Sequence, residues 1–162
     1  KEYAEVRQEM PNIAKQIVEH CQSGKSCCVL GSAGTGKTEV QKKVRNALEE
    51  QGLRCQAICL THTGARNMGG GSMTAHSFVM KHVLHGTFGG DVVLIDEISF
   101  MSLDLLAALE QVRLKSGVRI ICFGDFAQLP PVTNRWRGHK CRTTPSRNRG
   151  CFGTGPMARV LF

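Results

Sequence analysis

The sequence predicts an α/β fold in which helices cover both faces of a parallel β-sheet. Four short, nearly continuous apolar runs alternate with segments of helical periodicity, which is typical of buried parallel strands. The chain has 162 residues, a length that suits one compact domain with a substantial core. It contains no apolar run of about 18 residues, so we expect no helix that spans a membrane.

The first segments of this pattern lie before residue 52. Residues 1–22 are predicted to be helical, with an interruption near Pro11. The apolar run Ser26–Leu30 ends at a glycine and is predicted to form the first buried strand. A second helix is predicted over 38–51, just before a glycine at which it would stop.

Helical periodicity returns twice later in the chain. A helix is predicted over 75–84, after a glycine-rich stretch, and Ser102 is placed to cap another helix over 103–114. Around these helices lie the other apolar runs, which are predicted to be strands: Cys55–Leu60, Asp91–Ile95 and Val118–Phe123.

Positive charge is concentrated at the end of the chain. Residues 1–133 hold 14 Lys and Arg against 13 Asp and Glu, whereas 134–162 hold seven Lys and Arg and no acid. No periodicity is visible after Val132, so we predict one domain over 1–137 and a basic, irregular or disordered tail over 138–162. The alternative for the tail is a basic arm that binds nucleic acid phosphates.

The eight cysteines are predicted to be free thiols. They form no C-x-x-C pair, and four of them fall in apolar runs, where a thiol behaves as a small hydrophobe. A disulfide framework suits short secreted chains, so no disulfide-linked partner is expected. The start of the chain also lacks the apolar stretch of a secretory signal, from which we expect an intracellular protein.

The strongest motif is Gly31-Ser-Ala-Gly-Thr-Gly-Lys-Thr38, which matches G-x-x-x-x-G-K-[ST] between a predicted strand and a predicted helix. Such glycines let backbone N–H groups surround phosphates at the positive end of a helix. Lys37 would reach the β- and γ-phosphates, and the Thr38 hydroxyl would hold Mg²⁺. The alternative is a glycine-rich turn with a solvated lysine. The predicted cradle consists of Gly31, Ser32, Ala33, Gly34, Thr35, Gly36, Lys37 and Thr38.

Two further motifs follow predicted strands. Asp96 and Glu97 end the third strand, where the first carboxylate can hold Mg²⁺ and the second can orient or deprotonate water. The alternative is a pair of acids that cap a helix. After the fourth strand comes Gly124–Val132, in which Gln128 could contact the γ-phosphate. Read from the residues alone, this segment is equally compatible with a rigid, proline-stiffened turn.

These motifs together resemble those of a known family. GSAGTGKT, LIDEIS and GDFAQLPPV, in this order, resemble motifs I, II and III of superfamily I DNA helicases, most closely the Pif/RecD-like group. Leu60–Arg66 resembles motif Ia of that group, with His62 where proline is usual. Thr74–Phe78 resembles its T-x-H-S-F element. The resemblance covers roughly residues 10–137.

The resemblance implies that 1–137 is a RecA-like P-loop ATPase domain, the first of two in a helicase motor. It implies ATP and Mg²⁺ as cofactors, and single-stranded DNA and a second RecA-like domain, missing from this chain, as partners. Movement would be 5′ to 3′, and family members commonly act in DNA repair, recombination and telomere maintenance. The compartment would be the nucleus in a eukaryote and otherwise the cytoplasm. We expect the isolated chain to have weak activity or none.

The resemblance also assigns roles to residues. Catalysis would involve Lys37, Asp96, Glu97 and Gln128, and Mg²⁺ would be held by Thr38 and Asp96. DNA contacts would come from Thr63, Gly64, His76 and Phe78, with the Phe78 ring stacking on a base. For His76 and Phe78 the alternative is core packing or a helix cap. For the chain as a whole it is a nucleotide-dependent binding or regulatory module without unwinding activity, or a P-loop kinase or other small ATPase.

Overall fold

A computed structural model of the protein describes residues 2–32, 34–83, 88–125, 135–136, 139–140 and 159–161. The helices among these residues are α1 (Glu2–Gln22), α2 (Lys37–Glu50), α3 (His62–Met68), α4 (Ala75–Val83), a 3₁₀ helix (Ile98–Phe100) and α5 (Leu103–Ser116). The strands are β1 (Cys27–Leu30), β2 (Cys55–Cys59), β3 (Met73–Thr74), β4 (Val92–Ile95), β5 (Arg119–Gly124), β6 (Arg135–Trp136), β7 (His139–Lys140) and β8 (Arg159–Leu161).

Six of these strands form one sheet in the order β3-β2-β4-β5-β1-β8. The five strands from β3 to β1 are mutually parallel, and β8 pairs antiparallel with β1. The predicted α/β fold with a parallel sheet is therefore confirmed. Because neighbouring strands run in the same direction, the segments that follow β1, β2, β4 and β5 all leave the sheet at one edge.

Apolar side chains of α1 and α2 cover one face of the sheet. Ile17 from α1 and Val44 and Leu48 from α2 are completely buried in one cluster with Val29 of β1 and Phe123 of β5. Helical spacing brings these helix residues onto one side, as the apolar periodicity of both segments predicted. This packing fixes the position of α2 relative to β1, and thus the shape of the loop between them.

Helices α4 and α5 cover the opposite face. Phe78 from α4 and Leu105 and Leu109 from α5 are buried in a second cluster with Val93 and Ile95 of β4. All four residues of β4 are buried, because this strand lies between two neighbours and under helices on both faces. Of the described helices, none is both long and apolar enough to cross a membrane.

One expectation for the helical segments is wrong, and one short helix was not predicted. Helix α1 runs without a break from Glu2 to Gln22, so the predicted interruption near Pro11 does not occur. A proline removes one backbone hydrogen bond and bends a helix, but it does not have to end it. The glycine-rich stretch after β2 contains helix α3, whose N-terminus is capped by the Thr61 hydroxyl accepting a hydrogen bond from the Gly64 N–H at 3.0 Å. Seven residues are too few to establish a helical period.

Three short strands also lie beyond Val132, where the sequence predicted no regular element. Strands β6 and β7 pair with each other, and β8 extends the main sheet, with Val29 opposite Val160. Strands of two or three residues carry no detectable alternation of apolar and polar positions, which is why the pattern missed them. The division of the chain into 1–137 and 138–162 stays a prediction.

Candidate nucleotide-binding site

The candidate site lies where β1, β5 and β4 end side by side. Leu30 at the end of β1 is opposite Gly124 at the end of β5, and Ile95 at the end of β4 is opposite Cys122. Crevices at the carboxyl ends of strands are where open α/β sheets bind ligands. The register therefore brings the glycine-rich loop, the Asp96-Glu97 pair and Asp125, which directly follows β5, to one place.

The loop before α2 has the backbone of a phosphate cradle. Gly34 and Gly36 have φ angles of 78° and 79°, which residues with a Cβ rarely adopt. Gly36 precedes the first residue of α2, and no side chain caps this helix. Its first N–H groups have no partner within the helix and carry partial positive charge. The loop fits a phosphate group. Ala33 lies outside the described residues.

Lys37 is held within its own loop. Its Nζ donates hydrogen bonds to the backbone oxygens of Gly31 at 2.6 Å and Ser32 at 2.7 Å. Burial lowers the pKa of Lys37, whereas the negative charges of Asp125 and Asp96 act to raise it. An ammonium group that is partly removed from water gains more from an anionic ligand than an exposed one.

Asp96 is the candidate ligand for a cation, together with Thr38. Its Oδ1 accepts a hydrogen bond from the Glu97 N–H at 2.9 Å, which fixes the carboxylate against the turn after β4. Burial raises the pKa of Asp96, and although the Glu97 N–H and Lys37 act to lower it, the net shift is upward. A carboxylate that is costly to ionise in the fold is an oxygen ligand that fits a hard cation such as Mg²⁺.

Glu97 has an unusual backbone. Its φ and ψ are 55° and 36°, and it is the single non-glycine residue with positive φ in the described part of the chain. The left-handed conformation costs about 1–2 kcal/mol for a residue with a Cβ. Residues held in this way are concentrated at functional sites. The Glu97 side chain is exposed, and its Oε2 accepts a hydrogen bond from Cys59 Sγ at 3.3 Å.

Asp125 belongs to the site and was not assigned a role from the sequence. It directly follows β5 and is only 8% exposed, and its negative charge acts more strongly than that of Asp96 to raise the pKa of Lys37. The signal that could have identified it is the one used for Asp96. In both cases an acid follows an apolar strand of the parallel sheet.

Gly124, the last residue of β5, joins this strand to the phosphate loop. Its backbone oxygen accepts a hydrogen bond from the Gly31 N–H at 3.1 Å. A Cβ at this position would lie 2.8 Å from Ile98 Cγ2, so the close approach of the 3₁₀ helix requires glycine. Gln128 lies outside the described residues, and its contact with the γ-phosphate stays a prediction.

The four residues predicted to contact DNA have different environments. Thr63 and His76 are exposed, and Gly64 lies in the first turn of α3. Phe78 requires a correction, because its ring is 1% exposed and packs against His82 and Phe88 with centroid distances of 4.7 and 5.1 Å. A buried ring cannot stack on a base without leaving the core, so the core-packing alternative holds for Phe78.

Helix α4 starts with a side-chain cap from Thr74, not from His76. Thr74 Oγ1 accepts a hydrogen bond from the Ser77 N–H at 3.2 Å and donates one to Ser77 Oγ at 2.8 Å. The imidazole of His76 is therefore not needed to cap the helix. The six cysteines of the described part of the chain are free thiols, as predicted, and the same residues contain no cluster of three or more His, Cys, Asp or Glu side chains suited to a metal ion.

Comparison with known proteins gives consistent matches. The family described as "AAA domain" matches residues 13–142. The human ATP-dependent DNA helicase PIF1 is 30% identical over 135 residues, which is 68% of this chain and 20% of that protein. The ATP-dependent DNA helicase Pif1 of Bdellovibrio bacteriovorus is 30% identical over 148 residues, which is 74% of this chain and 32% of that protein.

A solved structure has a similar fold. The crystal structure of Pif1 helicase from Candida albicans matches with a TM-score of 0.59 and 26% identity, covering 75% of this chain and 33% of that one. The family match over residues 13–142 contains the glycine-rich loop and the Asp96-Glu97 pair. The chain thus spans only a fifth to a third of the length of these curated relatives.

Replacing Lys37 with alanine is expected to weaken binding of a fluorescent ATP analogue in the presence of Mg²⁺ by roughly 10- to 100-fold, the value of one charge-assisted hydrogen bond to phosphate. Lys42→Ala is the matched control, because Lys42 lies on the same helix but pairs with Glu39 at 3.5 Å on its exposed side. Equal affinities for wild type and Lys37→Ala would exclude the loop as the phosphate site.

Replacing Asp96 with asparagine is expected to raise the Tm at neutral pH while weakening Mg²⁺-dependent nucleotide binding. Because burial raises the pKa of Asp96 above the ordinary 3.8, ionisation costs stability as pH rises through the raised pKa, and the asparagine variant avoids that cost. The difference in Tm between wild type and Asp96→Asn should vanish at about pH 3, where the Asp96 carboxyl is protonated and both side chains are neutral.

Asp91→Asn provides a contrast of opposite sign. The Arg54 N–H, which donates to Asp91 Oδ2 at 2.8 Å, and the Arg54 side chain lower the pKa of Asp91. The ionised Asp91 therefore adds stability above its ordinary pKa, and Asp91→Asn should lower the Tm at neutral pH. If Asp96→Asn and Asp91→Asn changed the Tm in the same direction, burial could not be the cause of the raised pKa of Asp96.

Proposed function

Since the chain belongs to the AAA domain family and has the RecA-like motor domain of Pif/RecD-like helicases, we propose that it binds and hydrolyses MgATP and moves along single-stranded DNA in the 5′ to 3′ direction. The observation that carries this proposal is the convergence of Lys37, Asp96 and Glu97 at the carboxyl edge of one parallel sheet. The relatives named above are ATP-dependent DNA helicases, and the activity of the whole protein is proposed on their likeness.

The residues of the site have separate tasks in this proposal. The N–H groups of the glycine-rich loop and the Lys37 ammonium bind the phosphates, and Thr38 and Asp96 hold the cation. Bound Mg²⁺ would supply positive charge that offsets the negative charge of the phosphates. The Glu97 carboxylate orients a water and accepts its proton as the water attacks the γ-phosphorus, while the bond from that phosphorus to the bridging oxygen breaks and ADP leaves. The negative charge of Asp125 favours the ammonium form of Lys37 and so opposes the effect of burial on its pKa.

DNA would contact the same edge of the sheet beside the nucleotide. Helices α3 and α4 begin there, and Thr63, Arg66 and His76 are exposed on them. Hydroxyl, guanidinium and imidazole groups are suited to contacts with the DNA backbone. We propose that these side chains, together with the backbone at the start of α3 around Gly64, hold one strand through its phosphates. The Gly64 N–H itself is hydrogen-bonded to Thr61 Oγ1.

The motor requires a second RecA-like domain in this proposal, with ATP between the two domains and Gln128 contacting the γ-phosphate. Closing and opening of the pair would move the α3 and α4 surfaces along DNA. Genome maintenance is the proposed setting, including repair, recombination and telomere maintenance, in the nucleus of a eukaryote or otherwise in the cytoplasm.

Single-stranded DNA is expected to stimulate ATP hydrolysis by the full-length protein. Glu97→Gln should lower the stimulated kcat by about 10²- to 10⁴-fold with little change in nucleotide affinity, because proton transfer is lost while the phosphate contacts remain. Glu50→Gln, at the exposed end of α2, is the matched control.

Two outcomes would redirect the proposal. Nucleotide binding without DNA-stimulated hydrolysis would favour the nucleotide-dependent binding or regulatory module. Unwinding of a duplex with a 3′ single-stranded tail, but not of one with a 5′ tail, would contradict the proposed polarity.

A further inference from the structure

Cys59 makes a contact with Glu97 that the proposed mechanism does not use. It is the last residue of β2, is completely buried, and donates a hydrogen bond from Sγ to Glu97 Oε2 over 3.3 Å. Strand β2 is the neighbour of β4, which ends immediately before the Asp96-Glu97 pair. The thiol thus approaches the proposed general base from the side of the DNA-contacting helices.

The same sulfur also fills the space under the start of α3. A Cβ on Gly64 would lie 2.2 Å from Cys59 Sγ, a separation that atoms without a covalent bond cannot adopt. The α3 backbone at Gly64 therefore rests directly on the sulfur. Thr63, the neighbouring residue, is one of the proposed DNA contacts. One side chain consequently contacts both the DNA-facing turn and the catalytic carboxylate.

We propose that Cys59 is a positioning residue that restrains the Glu97 carboxylate in the absence of DNA and releases it when DNA shifts the first turn of α3. The inference rests on the proposed function, because it assumes that Glu97 is the general base and that DNA binds at α3. It adds a physical path by which DNA binding would stimulate hydrolysis.

The chemistry of the pair supports a restraint. Burial, and to a smaller extent the negative charges of Glu97 and Asp96, raise the pKa of the Cys59 thiol to about 11, although the Thr61 N–H acts to lower it. The thiol is therefore protonated at neutral pH and able to donate. A hydrogen bond from this thiol occupies Glu97 Oε2 and holds the carboxylate in one orientation. It also directs Oε2 towards β2.

The test compares variants of the full-length protein with and without single-stranded DNA. Cys59→Ala should raise the DNA-free kcat by about 3- to 10-fold, as expected for loss of one weak hydrogen bond, with KM for ATP unchanged. The stimulation by DNA should fall by the same factor. Cys59→Ser retains a donor and should behave like wild type. Cys21→Ala, which removes a completely buried thiol at the end of α1, is the matched control.

Gly64→Ala tests the other half of the link. The new Cβ must displace the Cys59 sulfur, so the DNA-free kcat should rise as it does in Cys59→Ala. Because both changes break the same hydrogen bond, the double variant should show no further rise, and the two effects should be non-additive. Independent, additive effects would overturn the proposed path through the sulfur.

Infrared spectroscopy separates this inference from the proposed function. The wild-type minus Cys59→Ala difference spectrum isolates the S–H stretch of Cys59, which should lie at the frequency of a hydrogen-bonded thiol and move to that of a free thiol in Glu97→Ala. If wild type shows no DNA-stimulated hydrolysis, the proposed function fails, whereas the band still reports whether the hydrogen bond exists. If stimulation is present but Cys59→Ala leaves the DNA-free rate unchanged or lowers it, the restraint is refuted and the proposed function stands.

Discussion

The alignment of parallel strands at one edge of the sheet is the constraint on which the candidate site depends. Residues that are far apart in the chain follow β1, β4 and β5, and only the register of these strands brings them together. The register itself depends on packing, because β4 is buried on both faces and the helices of each face fix their strands. Packing of the core therefore determines the geometry of the site.

Partial burial of charge is the second feature that defines the site. Burial opposes the ionised forms of both Lys37 and Asp96, yet their opposite charges, with that of Asp125, favour ionisation of one another. Burying these charged groups costs folding free energy when the site is empty. A bound phosphate beside Lys37 and a bound cation beside Asp96 would offset that cost. The left-handed backbone of Glu97 also indicates a functional site, because local strain is retained where it positions a functional side chain.

The sequence predicted the large elements and the nucleotide residues because each has a strong local signal. Buried parallel strands are continuous apolar runs, and the loop before α2 has a motif with a direct physical reason for each glycine. Helix α3 and strands β3 and β6–β8 were missed because two to seven residues are too few for periodicity. Phe78 was assigned to DNA from a motif that cannot distinguish a ring facing the core from one facing solvent. Asp125 escaped because one acid after a strand acquires meaning only when the sheet order places that strand beside β1.

The most direct test of this account is amide NMR of the chain during titration with Mg²⁺ and a non-hydrolysable ATP analogue. The account predicts that the largest chemical-shift changes occur at Gly31–Thr38, Glu97 and Asp125, which the sheet brings to one edge. Amides near the C-terminus of α5, including that of the exposed Leu114, should shift little. Saturable shifts centred elsewhere, or no change at Gly31–Thr38 at saturation, would contradict it.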